Sequence, residues 1–389
     1  MEPQLHILLL EDSEVDADLL IRFLKKSQLV FTIKRVWDES AFIKEIETQT
    51  FDLIISDHSM PQFTGIEAFR IIKKKFKHLP FIIVTGTLLE HTLAEMVKEG
   101  IDDYIFKDNL LRLPSAISHV VAKKKIERLH AQLEQAHKDI TDSINYAKNI
   151  QSAVLPEPEV LHNLFPESFV LFQPRDVVSG DFYYFKQEKN ICYIVAADCT
   201  GHGVPGAFLS ILGIEKIKQL LHPRYAPAEI LRRLDANIQQ AFAHSNDKEN
   251  HSGMDIALCA YDVETHTLEF SGANRPLWIV RKGEDAVEEI KGNKKGIGHA
   301  SGNSIDKDFK TQQVKLNCGD TFYMLTDGFA DQFGGPSGKK ITAKKLKNLL
   351  LGIQNLNLSK QKEYLSEFME VWKNKDEQVD DILMIGVSV

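Results

Sequence analysis

The chain has 389 residues, of which 43% are hydrophobic and 26% charged, and a formal net charge of −8. That length exceeds one ordinary core and predicts two or three domains, and the composition excludes a disordered or fibrous chain. The acidic balance argues against a nucleic-acid or anionic-membrane surface, because both demand a basic stripe.

The first apolar run, His6-Ile-Leu-Leu-Leu10, is too short for a leader and ends in Glu11-Asp12, which predicts a buried strand. It opens an alternating pattern that extends to about Val121. Strands are predicted at His6–Leu10, Phe31–Val36, Leu53–Ser56, Phe81–Val84 and Asp103–Phe106. Between them, Val15–Lys26 and Leu89–Glu99 have helical periodicity. Strands alternating with helices predict an α/β unit, a doubly wound parallel sheet with helices on both faces. Ligands of such sheets bind at the carboxyl ends of the strands. Here those ends carry Glu11, Asp12, Asp57, Thr85 and Lys107. Converging carboxylates repel unless a hard cation sits among them, and Mg²⁺ suits a few carboxylates plus water and phosphate oxygens. Asp57 is then a nucleophile toward a phosphoryl group, with the metal, Thr85 and Lys107 neutralising the transferred oxygens.

This constellation, with Asp57-His-Ser-Met-Pro61, Gly65 and Asp103-Tyr-Ile-Phe-Lys107, resembles the response-regulator receiver family over residues 1–121. The resemblance implies that Asp57 accepts phosphate from a sensor histidine kinase or a phosphotransfer protein. It also implies that Glu11, Asp12, Asp57 and the Ser59 carbonyl belong to the Mg²⁺ site, and that Thr85, Tyr104 and Lys107 form the switch. The sequence departs from the family at Asp108, where proline is frequent.

From Pro114 a helix is predicted. Ile126, Leu129, Leu133, Ala136, Ile140, Ala147, Ile150 and Val154 keep heptad register, broken at Ser143, and Pro156 and Pro158 stop the run. Residues 122–155 are therefore expected to form a coiled-coil linker that makes a homodimer.

Residues 156–389 have strand-like runs at Phe169–Gln173, Ile191–Ala197, Ile256–Tyr261, Leu277–Val280, Phe322–Leu325 and Ile382–Val387, and helical stretches around Ala207–Leu221 and Ala228–Phe242. The irregular alternation predicts an α+β sandwich. The four cysteines, Cys192, Cys199, Cys259 and Cys318, have no CxxC or zinc-like spacing, so no disulfide framework is expected and a reducing cytoplasm fits. No apolar run approaches the ~18 residues that span a bilayer.

Four acidic motifs again fall at strand ends: Ser179-Gly-Asp181, Asp198-Cys-Thr-Gly-His-Gly203, Thr326-Asp327-Gly328 and Asp380-Asp381. Carboxylates brought together this way make an oxygen-rich site for two divalent cations about 3.5–4 Å apart. In this order, and with Val178-Ser-Gly-Asp-Phe-Tyr183 and Ser271-Gly-Ala-Asn-Arg-Pro276, the motifs resemble the metal-dependent PPM (PP2C-type) phosphatases, in particular their stage-II-sporulation-E-like branch. The resemblance implies a serine/threonine protein phosphatase using two Mn²⁺ or Mg²⁺ ions. It implies that Asp181, Asp198 and the Cys199 carbonyl are ligands, with Asp327 and Asp380 on the second ion and Asp381 the alternative to Asp380. His202 is the candidate general acid, since histidine titrates in the useful range. The implied substrate is a phosphoprotein, in this branch often an anti-anti-sigma protein of the STAS fold.

The rival reading is a non-catalytic phosphoprotein-binding scaffold with a pseudophosphatase domain, and the presence of all four acidic motifs counts against it. A nuclease needs a basic groove and a transcription factor a terminal helix-turn-helix; neither is apparent in the sequence.

Overall fold

The computed structural model describes residues 4–86, 98–243, 253–298 and 308–389. The chain packs as two units, Met1–Asp139 and Ile140–Val389.

In the first unit, β1 (Leu5–Leu10), β2 (Phe31–Val36), β3 (Leu53–Asp57), β4 (Phe81–Thr85) and β5 (Asp103–Phe106) form a parallel sheet in the order β2-β1-β3-β4-β5. Because side chains alternate across a strand, Ile7 and Leu9 of β1 face one helical layer, and Leu8 and Leu10 face the other. The first layer contains helix Glu14–Lys25 and the second contains helices Glu39–Thr48 and Gly65–Lys75. Burial on both faces is why β1, β3 and β4 read as mainly apolar runs. Ser13, Asp38 and Thr64 cap the three helices, and Thr64 forms a capping box with Glu67; such a cap stabilises by about 1 kcal/mol. The predicted Leu89–Glu99 helix lies outside the described residues except for Lys98 and Glu99, which are helical.

The expected linker is a single 42-residue helix, Leu113–Val154. Leu113, Ala116, Ile117 and Val120 at its start are buried in the core of the first unit. Ile126, Leu129, Leu133 and Ile140 are between 55% and 69% exposed. Its last turns belong to the second unit, where Gln151 is buried and Val154 packs against the core.

The second unit is a sandwich. One sheet has the order β13-β10-β9-β8-β7, built from β7 (Phe182–Glu188), β8 (Ile191–Cys199), β9 (Met254–Asp262), β10 (Thr267–Ala273) and β13 (Gln312–Lys315). The other has the order β12-β11-β14-β17-β6, from β6 (Ser168–Gln173), β11 (Leu277–Val280), β12 (Val287–Ile290), β14 (Thr321–Leu325) and β17 (Ile382–Ser388). A small ribbon pairs β15 (Phe333–Gly334) with β16 (Lys339–Lys340). Cys192, Ile194, Cys259, Phe322, Leu383 and Ile385 fill the space between the sheets. Helices Gly203–Leu220 and Pro227–Phe242 cover the outer face of the first sheet, and helices Ala343–Gly352 and Leu358–Lys373 that of the second.

The sequence reading did not include β7, β10, β12, β13, β15 and β16. Of these, β12 and β13 are short edge strands rich in polar residues, which present one face to solvent and so lack an apolar run.

Candidate functional site

Asp57 ends β3, next to the β1–β3 crossover, and is 7% exposed. The Lys107 ammonium donates to Asp16 Oδ2 at 2.6 Å, Asp57 Oδ2 at 3.1 Å and Glu11 Oε2 at 3.2 Å. Burial alone would lower the Lys107 pKa; the carboxylates of Asp16, Asp57 and Glu11 outweigh it and raise the pKa. Burial, then the charge of Asp57, pushes the Glu11 carboxyl up. Glu11, Asp12 and Asp57 each offer an oxygen, and these all lie within 4.8 Å of one another. That spacing and the oxygen-only donor set fit a hard cation. Gly65 is required here, since a Cβ on it would lie 2.6 Å from the Asp57 carbonyl. Thr85 is buried at the end of β4, Tyr104 is half-buried on β5 with its ring 5.8 Å from that of Phe106, and Ser59 is exposed. Asp16 was missed by sequence reasoning, because an acidic residue in a first helical turn ordinarily just complements the helix dipole.

In the second unit, acidic residues from distant segments meet at one end of the sandwich. Asp181 is 1% exposed and accepts from Thr326 Oγ1 at 2.6 Å. Burial and then the charge of Asp198 raise its carboxyl well above the usual range. Asp198, near the end of β8, is pushed up to about 7 by burial; Arg275 opposes the shift and Asp327, Asp380 and Asp255 add to it. Asp380 is half-buried and is raised by burial, against the Asp381 N–H that donates to its Oδ1 at 2.9 Å. Asp327 opens the short helix Gly328–Asp331. The loops interlock closely: a Cβ on Gly180 would lie 2.6 Å from the Gly201 carbonyl.

The two aspartates before β17 differ in surroundings. Asp381 is buried and accepts from the backbone N–H of Arg175 and that of Gly180, each at 2.7 Å. It ties the start of β17 to the loop that presents Asp181. Asp380 instead acts electrostatically on Asp327 and Asp198. The Cys199 thiol is buried, which raises its pKa far above the usual range and leaves its carbonyl as the useful donor. His202 is exposed at the start of helix Gly203–Leu220, with Nδ1 2.9 Å from Asp176 Oδ2. The Arg175 guanidinium donates to the Val379 carbonyl at 3.1 Å.

Asp255 and Arg275 complete the site, and sequence reasoning gave neither a role. Asp255 stands opposite Asp198 in the β8–β9 register, and like charges placed there destabilise a sheet. Arg275 Nη2 is bonded to Asp198 and lies 2.9 Å from Asp327 Oδ2 and 3.7 Å from Asp255 Oδ2. One guanidinium does not balance these carboxylates together with Asp181 and Asp380. The excess negative charge, borne by oxygen donors alone, fits divalent cations.

A doubly wound sheet with an acidic pocket at the end of β3, joined to an αββα sandwich with a second acidic pocket, defines a response regulator fused to a PP2C-type phosphatase domain. The chain belongs to the stage II sporulation protein E (SpoIIE) family, whose model matches residues 189–389, and the response regulator receiver domain matches residues 7–118. It is 32% identical to the SiaA-PP2C domain of Pseudomonas aeruginosa, with a TM-score of 0.59 over 65% of this chain and 98% of that one. It is 22% identical over 207 residues to the phosphoserine phosphatase RsbU of Bacillus subtilis, covering 52% of this chain and 57% of that protein. Over 102 residues it is 30% identical to the transcription factor SKN7 of Saccharomyces cerevisiae, covering 26% of this chain and 16% of that protein. The chain thus spans little more than half of RsbU and a small part of SKN7. Among the described residues no helix is long and apolar enough to cross a membrane.

Proposed function

We propose that this protein removes phosphate from phosphoserine or phosphothreonine of a protein substrate, in a metal-dependent reaction controlled by phosphorylation of Asp57. The observation that carries this reading is the convergence of Asp181, Asp198, Asp327 and Asp380, from four distant segments, on one oxygen-rich site.

Asp181, Asp198, the Cys199 carbonyl, Asp327 and Asp380 are the groups we assign to two Mn²⁺ or Mg²⁺ ions, with Asp381 holding the Gly180 loop in place. When bound, such ions supply Lewis-acid stabilisation of the phosphoryl oxygens and a water of lowered pKa. Thr326 fixes the orientation of Asp181 through its hydroxyl. His202, with Nδ1 engaged by Asp176, has Nε2 left to donate a proton to the departing serine or threonine oxygen.

In the receiver, Asp57 takes a phosphoryl group from a histidine kinase or phosphotransfer protein, and Glu11, Asp12, Asp57 and the Ser59 carbonyl belong to the Mg²⁺ site. Lys107 is poised to neutralise the added charge, and Thr85 and Tyr104 form the switch. The linker is proposed to dimerise through Ile126, Leu129, Leu133 and Ile140, whose exposure on the helix supports a seam between two copies. The name of RsbU favours a phosphoserine substrate, and the family resemblance points to a STAS-fold protein.

The test is phosphate release from a phosphoserine or phosphothreonine peptide with Mn²⁺, for wild type and Asp327→Asn, each with and without acetyl phosphate. Metal-dependent release that is lost in Asp327→Asn is expected. The absence of release together with the absence of divalent binding beyond the receiver site would favour the scaffold reading.

A further inference from the structure

Arg275 meets the acidic site through one nitrogen. Its Nη2 is bonded to Asp198 and Asp327 and has Asp255 at 3.7 Å. A guanidinium ordinarily meets a carboxylate with two parallel N–H bonds. Several carboxylates gathered on one charged atom is instead how a cation is held. The side-chain Nε is buried with no hydrogen-bond partner, a state that is costly for a donor away from water.

The backbone beneath this side chain is fixed. A Cβ added at Gly272 or Gly292 would lie 2.2 or 2.5 Å from the Arg275 carbonyl. The preceding Asn274 has φ 57° and donates to Asp255 Oδ1 at 2.8 Å. Any change in what Arg275 contacts must therefore come from its side-chain torsions. Among the described residues, Glu11, Asp12 and Asp57 are the only acidic group whose oxygens close to within 4.8 Å. The carboxylates around Arg275 do not.

We propose that Arg275 is a tethered cation that holds Asp198 and Asp327 and competes with divalent ions for them. The inference rests on the metal-dependent reading above and adds a threshold to it. Asp198 and Asp255 face each other across β8 and β9 and need a positive charge beside them. Arg275 supplies that charge. Metal then binds only to molecules in which the side chain has swung out, so the apparent affinity falls by the fraction in that state.

The experiment is calorimetric titration of MnCl₂ into the whole chain carrying Asp12→Asn and Asp57→Asn, which silences the receiver's own cation site. In that background Arg275→Gln is expected to bind Mn²⁺ about tenfold more tightly than the parent, as for a site blocked in about nine molecules of ten. Arg175→Gln, which removes a guanidinium that donates to the Val379 carbonyl, controls for the loss of any nearby charge and is expected to change little. If Arg275→Gln does not fold without metal, Arg275→Lys takes its place, with tighter binding expected because its shorter arm reaches the Asp198–Asp327 pair less well. Unchanged or weaker binding in the Arg275 variants, or equal tightening in Arg175→Gln, overturns the proposal and leaves the metal-dependent reading intact. No Mn²⁺ binding in any protein, parent included, overturns both.

Discussion

Gln151 and Ser179 are joined amide to backbone: Gln151 Nε2 donates to the Ser179 carbonyl at 2.6 Å, and the Ser179 N–H donates to Gln151 Oε1 at 3.1 Å. The same Nε2 donates to Ser210 Oγ at 2.8 Å. A side chain from the last turns of the 42-residue helix thus touches both the loop that presents Asp181 and the helix that follows His202.

Gln151→Ala is expected to destabilise the second unit by about 1–3 kcal/mol, because it leaves the buried Ser179 N–H unpaired and the Ser179 carbonyl with only the longer bond from Ser210 Oγ, at 3.4 Å. It should also lower phosphatase turnover, since the loop bearing Asp181 loses its tie. Urea unfolding and phosphate release, measured side by side, check both effects. Wild-type turnover in the variant would show that the loop holds without the helix.

Asp57→Asn is expected to leave the phosphatase rate indifferent to acetyl phosphate. Lys107→Ala should weaken the response too, because the ammonium that bridges Asp57, Glu11 and Asp16 is removed. The comparison needs only the ratio of rates with and without the phosphoryl donor. A full response in Asp57→Asn would sink receiver control.

How much of this was legible beforehand depends on whether a feature is local. The receiver strands β1, β3 and β4 are buried on both faces, so each left an apolar run, and the residues at the strand ends pointed to Asp57 and Lys107. Asp181 and Asp327 stand beside Gly180 and Gly328, and Asp198 is followed closely by Gly201, which marked them. Asp255 and Arg275 carry no such mark. Asp255 matters because β9 pairs with β8 in one register, and Arg275 because a turn between β10 and β11 aims it inward. Gln151 sits in a heptad-like run with only its polarity to distinguish it. Its contacts depend on how the helix end packs against Ser179 and Ser210, which is tertiary information.

Asp320 gives a pH-dependent expectation away from the metal site. Burial would raise its carboxyl, but the Asn317 N–H, Arg281 and the Lys282 N–H, donating at 2.9, 2.8 and 3.0 Å, outweigh burial and hold it below the ordinary range. A depressed carboxyl contributes stability above its unfolded pKa of about 3.9 and loses it as the pH falls through the lower folded value. Asp320→Asn should therefore be less stable than wild type by about 1–3 kcal/mol at neutral pH. The gap should narrow only in acid below the unfolded value. Urea midpoints at neutral and acid pH measure it, and a gap independent of pH would show that the carboxylate's charge contributes nothing.

His202 is exposed and its Nδ1 is 2.9 Å from Asp176 Oδ2, so the aspartate fixes the ring with Nε2 facing away. A general acid matters in proportion to how poor the leaving group is, and such catalysis is typically worth about 10²–10⁴-fold. His202→Ala is therefore expected to slow release from a phosphoserine peptide by about a hundredfold or more. It should barely affect p-nitrophenyl phosphate, whose phenolate departs without protonation. Equal slowing on both substrates would make His202 a structural residue of the loop and return the proton to solvent water.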